Sequence, residues 1–269
     1  MTGPKRVMVP AHNDRGLEGR LTVATALAQY FGGSLQCIYA HAPPGAGQAI
    51  SAGGMKRLSA EEDREAIRLR RMIESRLAET EIEWDWHHHH GNIADAVIEM
   101  SPMADLVVVS PMIESGGGTR VEPIVETLLL RAEAPLIVAP TDTSAFDCAG
   151  TAMIAWNGSA ESARAMRHAL PMLRAAAAVR LVTAAGDVRR FSAQDAVDYL
   201  SDHGVESQVE IAADGETNAA KALCQSADAL QADYIVMGGY SRSRVNELIF
   251  GGVTRHMLRH PPVPLFILH

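Results

Sequence analysis

Two stretches decide the fold: Ala104-Asp-Leu-Val-Val-Val-Ser110 and Ala232-Asp-Tyr-Ile-Val-Met-Gly238. Each is an Ala-Asp pair running into a short, continuous apolar segment. Continuous rather than alternating apolar residues mark strands covered on both faces, the pattern of a parallel sheet with helices on either side. The segments around the first stretch recur around the second in the same order. Arg6-Val-Met-Val-Pro-Ala-His12 returns as Ala152-Met-Ile-Ala-Trp-Asn157, and Leu35-Gln-Cys-Ile-Tyr-Ala40 as Val179-Arg-Leu-Val-Thr183. Ala134-Pro-Leu-Ile-Val-Ala-Pro140 returns as Val263-Pro-Leu-Phe-Ile-Leu-His269. Four matches in register point to an internal duplication. Helical patterns over 22–30, 61–78, 93–100, 160–174, 193–203 and 218–230 separate the strands, so each half is predicted to be a doubly wound α/β unit. The 269 residues suit two such units of roughly 100–150 residues each. The Thr/Ser/Asp/Gly-rich stretch 141–150 divides the chain into domains 1–141 and 150–269. Residues 42–60, rich in Gly, Pro and Ala, read as an extra loop of the first domain.

Composition narrows the function. The formal net charge is −8, whereas a nucleic-acid binder presents a basic face that neutralises phosphates, so no nucleic-acid partner is expected. Arg64, Arg68, Arg70 and Arg71 are interleaved with Glu61, Glu62, Asp63, Glu65 and Glu74, which reads as a solvated helix face. Cys37, Cys148 and Cys224 are scattered without metal or redox spacing and suit a reducing compartment. The first dozen residues lack a signal-peptide pattern, and no segment approaches the roughly 18 apolar residues of a membrane span. The expectation is a cytoplasmic protein with no membrane partner.

In open α/β sheets, ligands bind beyond the carboxyl ends of the strands, where loops and helix N-termini converge. Leaving such a strand is Gly238-Gly-Tyr-Ser-Arg-Ser-Arg-Val-Asn-Glu-Leu-Ile-Phe-Gly251-Gly-Val-Thr254. Glycines let the backbone approach a phosphate, and Gly251-Gly252 opens a helix whose free N–H groups favour an anion. Ser241, Ser243 and Thr254 add hydroxyls. On the residues alone, a phosphate loop and an ordinary tight strand exit fit equally well.

The segment resembles the G-x2-G-x9-G-(S/T) phosphate loop of the universal stress protein family, with Gly238 at its first glycine and Gly251 at its third. Asn157-Gly158-Ser159 stands where that family typically has Asp-Gly-Ser. The closing Arg-His-Pro-Pro-Val-Pro-Leu-Phe-Ile-Leu block resembles the family's last helix and strand. The resemblance spans essentially the whole chain and implies a tandem, UspA-like member with the adenine nucleotide α-hydrolase-like fold. It also implies two five-stranded parallel sheets packed as an intramolecular pseudo-dimer through residues 135–138 and 264–268, with homodimerisation as a further mode of association.

Carried over residue by residue, the resemblance implies ATP or another adenine nucleotide in the second domain. Ala155, Asn157, Gly158, Ser159, Thr183 and Met237 fall among its nucleotide-binding positions, with Asn157 able to hydrogen-bond a base or sugar. Gly238, Ser241, Gly251, Gly252, Val253 and Thr254 make up the phosphate loop. Ser241 departs from the second glycine and Gly252 from the usual Ser or Thr, while Thr254 offers a hydroxyl two residues on. In the first domain His12 replaces the acid, Arg131-Ala132 replaces Gly-Ser, and Ser110-Pro-Met-Ile-Glu-Ser-Gly-Gly-Gly118 does not align with the loop, so no ATP is expected there. The implied role is a stress-response sensor or regulator with an unidentified protein partner. Slow ATP hydrolysis is compatible with it, but no general base can be placed and a dedicated enzyme is not expected. The alternative is a nucleotide-independent adaptor or small-molecule carrier.

His87-His-His-His90 follows Trp84-Asp-Trp86. On a strand alternate side chains diverge, so His87 and His89 could share an ion that His88 and His90 could not join. Recruits would have to come from the 42–60 loop, or from His12 and His41 at neighbouring strand ends. Zinc takes about four ligands, and no complete set is identifiable by spacing, so no bound metal is expected. G-x-S-x-G, HExxH and Walker A motifs are absent.

Overall fold

Along the first strand, Val7 and Val9 join one hydrophobic core and Met8 the other. This is the period-two alternation of a strand with helices on both faces. The computed structural model describes residues 3–41, 52–115, 120–184, 190–212, 219–239 and 252–269. The first half runs β1 (Arg6–Pro10), α1 (Leu17–Phe31), β2 (Ser34–His41), α2 (Ala52–Leu77), β3 (Trp84–His90), α3 (Ile93–Met100) and β4 (Leu106–Val109). A short antiparallel hairpin of β5 (Ile113–Ser115) and β6 (Arg120–Glu122) leads into α4 (Ile124–Arg131) and β7 (Leu136–Val138). The second half runs β8 (Thr151–Trp156), α5 (Ala160–His168), α6 (Leu170–Ala175), β9 (Ala178–Ala184), α7 (Ala193–Asp202) and β10 (Gln208–Ala212). It ends with α8 (Ala219–Ala229), β11 (Tyr234–Gly238), α9 (Gly252–Arg259) and β12 (Leu265–Leu268).

Ten strands form one sheet in the order β10-β9-β8-β11-β12-β7-β4-β1-β2-β3. Within this sheet every pairing inside a half is parallel. The halves meet at a single antiparallel seam, where Leu265 lies opposite Val138, Phe266 opposite Ile137 and Ile267 opposite Leu136. The composition of the strands explains why this edge and not another is covered. β7 is Leu-Ile-Val and β12 begins Leu-Phe-Ile, all buried, and an open apolar edge is a template for unwanted pairing. The two outer edges are polar instead: Trp84-Asp-Trp-His-His-His-His90 in β3 and Gln208-Val-Glu-Ile-Ala212 in β10. The expected pairing of 135–138 with 264–268 is therefore the observed seam. Arg259 donates to Glu126 of α4 at 3.5 Å beside it, an exposed contact of small energetic weight.

Several elements differ from the sequence expectations. Residues 52–60 of the expected 42–60 loop are instead helical, the first turns of α2, and 42–51 lie outside the described residues. The helix expected over 160–174 is two helices, because Pro171 has no N–H to continue the ladder and opens α6 instead. The 141–150 stretch between the halves packs against the second half. Phe146 lies 6.0 Å from the Tyr234 ring, and Cys148 is buried, its thiol pushed up to about 11 by burial and by Asp147.

Candidate functional site

At the second-half strand ends, β9, β8 and β11 lie side by side. Ala155 pairs with Val182 and with Met237, Trp156 with Thr183, and Gly238 with Leu268. The chain leaves β8 through Asn157, whose side-chain Oδ1 accepts from the Ser159 N–H at 3.1 Å. Gly158 follows at φ 67°, where a side chain would be strained, and its carbonyl accepts from the Arg190 and Phe191 N–H groups at 3.0 Å each. Ser159 then caps α5, accepting from the Ser162 N–H at 3.1 Å. The expected Asn157, Gly158 and Ser159 thus form one compact turn over the carboxyl end of β8. Gly252, Val253 and Thr254 make the first turn of α9, which packs on α8 with Met257 Sδ 3.9 Å from Cys224 Sγ. Ser241 and Gly251 lie outside the described residues.

Gly238 has a packing reason to be glycine. A Cβ there would sit 2.4 Å from the backbone of Glu161 and Ser162, so the N-terminal turn of α5 rests directly on the end of β11. Glu161 and Ser162 are buried in that contact, and Arg164 donates to the Glu161 carboxylate at 3.4 Å. Sequence reasoning missed this pair. A Glu in the first turn of a helix signals only a favourable dipole contact, not burial.

The first half solves the same corner with charge. Arg20 of α1 is fully buried and turned onto the strand ends. Its Nε donates to the Pro10 carbonyl at 2.9 Å, and Nη2 to the His12 carbonyl at 3.2 Å. Its Nη1 donates to Ser110 Oγ and to Asp14 Oδ1, both at 2.9 Å, and Nη2 reaches Asp14 Oδ2 at 3.2 Å. The bidentate pairing is the strong form of such a contact, and every guanidinium nitrogen has an acceptor. Burial depresses the Arg20 pKa while Asp14 opposes the shift. His12, its ring tilted against Tyr39 at 5.4 Å, is held down to about 4, first by burial and then by the nearby Arg20 cation, against the pull of Asp14. It is therefore a neutral imidazole at neutral pH. The one sequence signal for this plug is that Arg20 falls three residues after Leu17 and four before Ala24, on the apolar stripe of α1.

Residues 150–269 match the model of a family described as the Universal stress protein family. The second half of the chain belongs to that family. Among curated protein sequences nothing matches the chain. Among solved structures, a universal stress protein from Archaeoglobus fulgidus matches with a TM-score of 0.71 and 13% identity, over 98% of this chain and 95% of that one. A Pseudomonas aeruginosa protein of unknown function matches with a TM-score of 0.61 and 14% identity, over 98% and 92%. At these identities the likenesses carry the fold of the whole chain: two universal stress protein-type α/β units joined at their last strands.

Against the universal stress protein sheet, the histidine run is placed differently from the sequence expectation. His87 and His89 point toward α3, where His89 Nε2 lies 3.2 Å from Met100 Sδ. The residues that converge are His88 and His90 with His41 of β2, on the opposite face. Parallel pairing sets Tyr39 beside His88 and His41 beside His90. His41 Nδ1 is 3.1 Å from His88 Nε2, and His41 Nε2 is 3.3 Å from His90 Nδ1 and 3.1 Å from Glu62 Oε2 of α2. Burial and then the neighbouring imidazoles lower the pKa of His41 and His88, and burial and then Asp63 and Glu65 raise that of Glu62. His12, the other suggested recruit, is enclosed beside Tyr39 and Arg20 and is not part of the group. Among the described residues no helix is long and apolar enough to cross a membrane.

Proposed function

We propose that the protein is a cytoplasmic stress-response sensor or regulator of two units, 1–141 and 150–269, of which only the second holds an adenine nucleotide. The observation that carries this reading is the contrast between the two strand ends. Arg20, eight residues after His12, fills the first with a guanidinium and exhausts its acceptors. Ala165, eight residues after Asn157, leaves only a methyl group at the corresponding point of α5. Ala155, Asn157, Thr183 and Met237 would bound the base and sugar, with Asn157 able to donate or accept a hydrogen bond there. Gly158 and Ser159 would shape the turn below. Gly238, Ser241, Gly251, Gly252, Val253 and Thr254 would carry the phosphates, the α9 N-terminus favouring their charge. Among the described residues no side chain is placed as a general base, and binding rather than turnover is the proposed activity.

Mass spectrometry of the chain as purified from cells, followed by calorimetric titration with ATP, tests the proposal. At most one site per chain is expected, and Gly251→Asp should abolish it by setting a carboxylate where phosphate sits. Two equivalent sites would overturn the asymmetry. A flat titration together with no co-purifying nucleotide would favour the second reading, an adaptor or small-molecule carrier. That reading draws support from Gly238, whose lack of a side chain is already required by the seat of α5.

A further inference from the structure

We propose that His41, His88, His90 and Glu62 form a binding site for a divalent transition ion of the zinc, copper or nickel class. Imidazole suits these ions, and zinc accepts nitrogen and carboxylate oxygen in a tetrahedral arrangement. At metal–ligand distances of about 2.0–2.1 Å, neighbouring donors of a tetrahedral ion lie roughly 3.3 Å apart. His41 Nε2 is 3.3 Å from His90 Nδ1 and 3.1 Å from Glu62 Oε2, and the three histidines offer nitrogens that all lie within 4.8 Å of one another. The rings of His88 and His90 are exposed, so His88 can turn its nitrogen to complete the set.

Three elements far apart in the chain supply these donors. His88 and His90 share one face of β3, and parallel register brings His41 of β2 to the same end. Glu62 descends from α2, which packs through Ala66, Leu69 and Ile73 on the core below. Trp86 stacks on Tyr39 at 5.8 Å, and Tyr39 meets the His88 ring edge-on at 5.2 Å, so the group stands on an aromatic floor. A single proton on His41 Nε2 would have to serve both His90 Nδ1 and Glu62 Oε2, whereas a cation can meet both donor atoms at once. Such an ion would cross-link β2, the outer-edge strand β3 and α2.

The test uses the full chain, stripped with a chelator and titrated with zinc in a calorimeter, with cobalt as a spectroscopic substitute. One equivalent of zinc should bind, and cobalt should give the intense visible absorption of a four-coordinate site. His41→Ala, and His88→Ala with His90→Ala, should each weaken zinc binding beyond the roughly 10–100-fold that loss of an outer partner typically costs. Glu62→Gln should weaken it less and alter the cobalt spectrum. His87→Ala with His89→Ala should leave both readouts unchanged. Circular dichroism of each variant checks that the fold is kept, which the exposure of His88 and His90 favours. No saturable one-equivalent binding, retention of binding after loss of His88 and His90, or equal loss in the His87 and His89 variant would each overturn the site. The first of these would leave the group as a chain of hydrogen-bonded imidazoles.

Discussion

The carboxyl end of β1 and the carboxyl end of β8 occupy equivalent places in two halves of one sheet, yet they are finished with opposite chemistry. At β1 an internal cation closes the corner: Arg20 is clamped by Asp14 and Ser110, with neutral His12 alongside. At β8 the turn is uncharged, held by Asn157, a left-handed Gly158 and the Ser159 cap. Even the space-making glycine has changed sides. In the second half it is Gly238 at the strand end, which lets Glu161 and Ser162 come close. In the first half the strand end carries Ser110 and the helix turn carries Gly16, where a Cβ would lie only 2.2 Å from Ser110 Oγ. The same helix-on-strand contact is thus made twice, once with the small residue above and once below. One consequence is that the first corner depends on keeping both members of a buried ion pair, whereas the second rests on packing and a cap.

The largest effect that would break or sharpen this comparison is removal of the Asp14 carboxylate. Asp14→Asn leaves Arg20 charged, buried and under-paired, which typically costs about 3–5 kcal/mol. Denaturant unfolding should show that loss, and replacing both partners with apolar residues should recover most of it. A change of less than about 1 kcal/mol would mean that Arg20 finds solvent or another anion, and the contrast between corners would fail.

Acid should separate the halves next. The folded-state value for His12 is about 4, below its ordinary value of 6.5, so the native state prefers the neutral ring. The stability this provides is fully present above about 6.5 and is lost as pH falls toward about 4. The shift of roughly 2.5 units corresponds to roughly 3 kcal/mol at the acid end. His12→Gln should flatten the pH dependence of stability between pH 7 and 4, as read from thermal or denaturant midpoints. An unchanged slope would place the acid sensitivity elsewhere.

The glycine exchange is the smallest and most direct check. Gly238→Ala pushes a methyl group into backbone and should cost about 1–3 kcal/mol, the range for overpacking. Gly16→Ala meets a side chain instead, so pairing it with Ser110→Gly should restore part of the loss. A double-mutant cycle reads that coupling. Purely additive effects would show that the two residues do not share one contact.

Most of the architecture was legible because it rests on burial. The four repeated apolar runs are the central strands, and most of their apolar residues are buried. β10 was not singled out because it is an outer edge, with Gln208, Val209 and Ile211 exposed and no apolar run to mark it. The start of α2 was read as loop because Gly53 and Gly54 are weak helix formers, and the helix reaches them only as a continuation of its later turns. At the candidate sites the limit was direction. Strand periodicity says that His88 and His90 share a face, but not that this face looks toward α2 and His41. An Arg on an apolar stripe does not announce that a strand end lies opposite. The turn at Asn157, by contrast, was readable, since Asn-Gly-Ser after an apolar run carries its own local hydrogen bonds.

The antiparallel seam between β7 and β12 has a thermodynamic consequence of its own. Two separate subunits joined in this way would hold together only as far as their concentration allowed. Here both strands belong to one chain, bridged by residues 141–150, so the partner is supplied at an effective concentration that dilution never lowers. A symmetric pair of identical subunits must also carry every substitution twice. With the seam internal, Arg20 could enter one half and Ala165 remain in the other, each altering a single corner of the molecule.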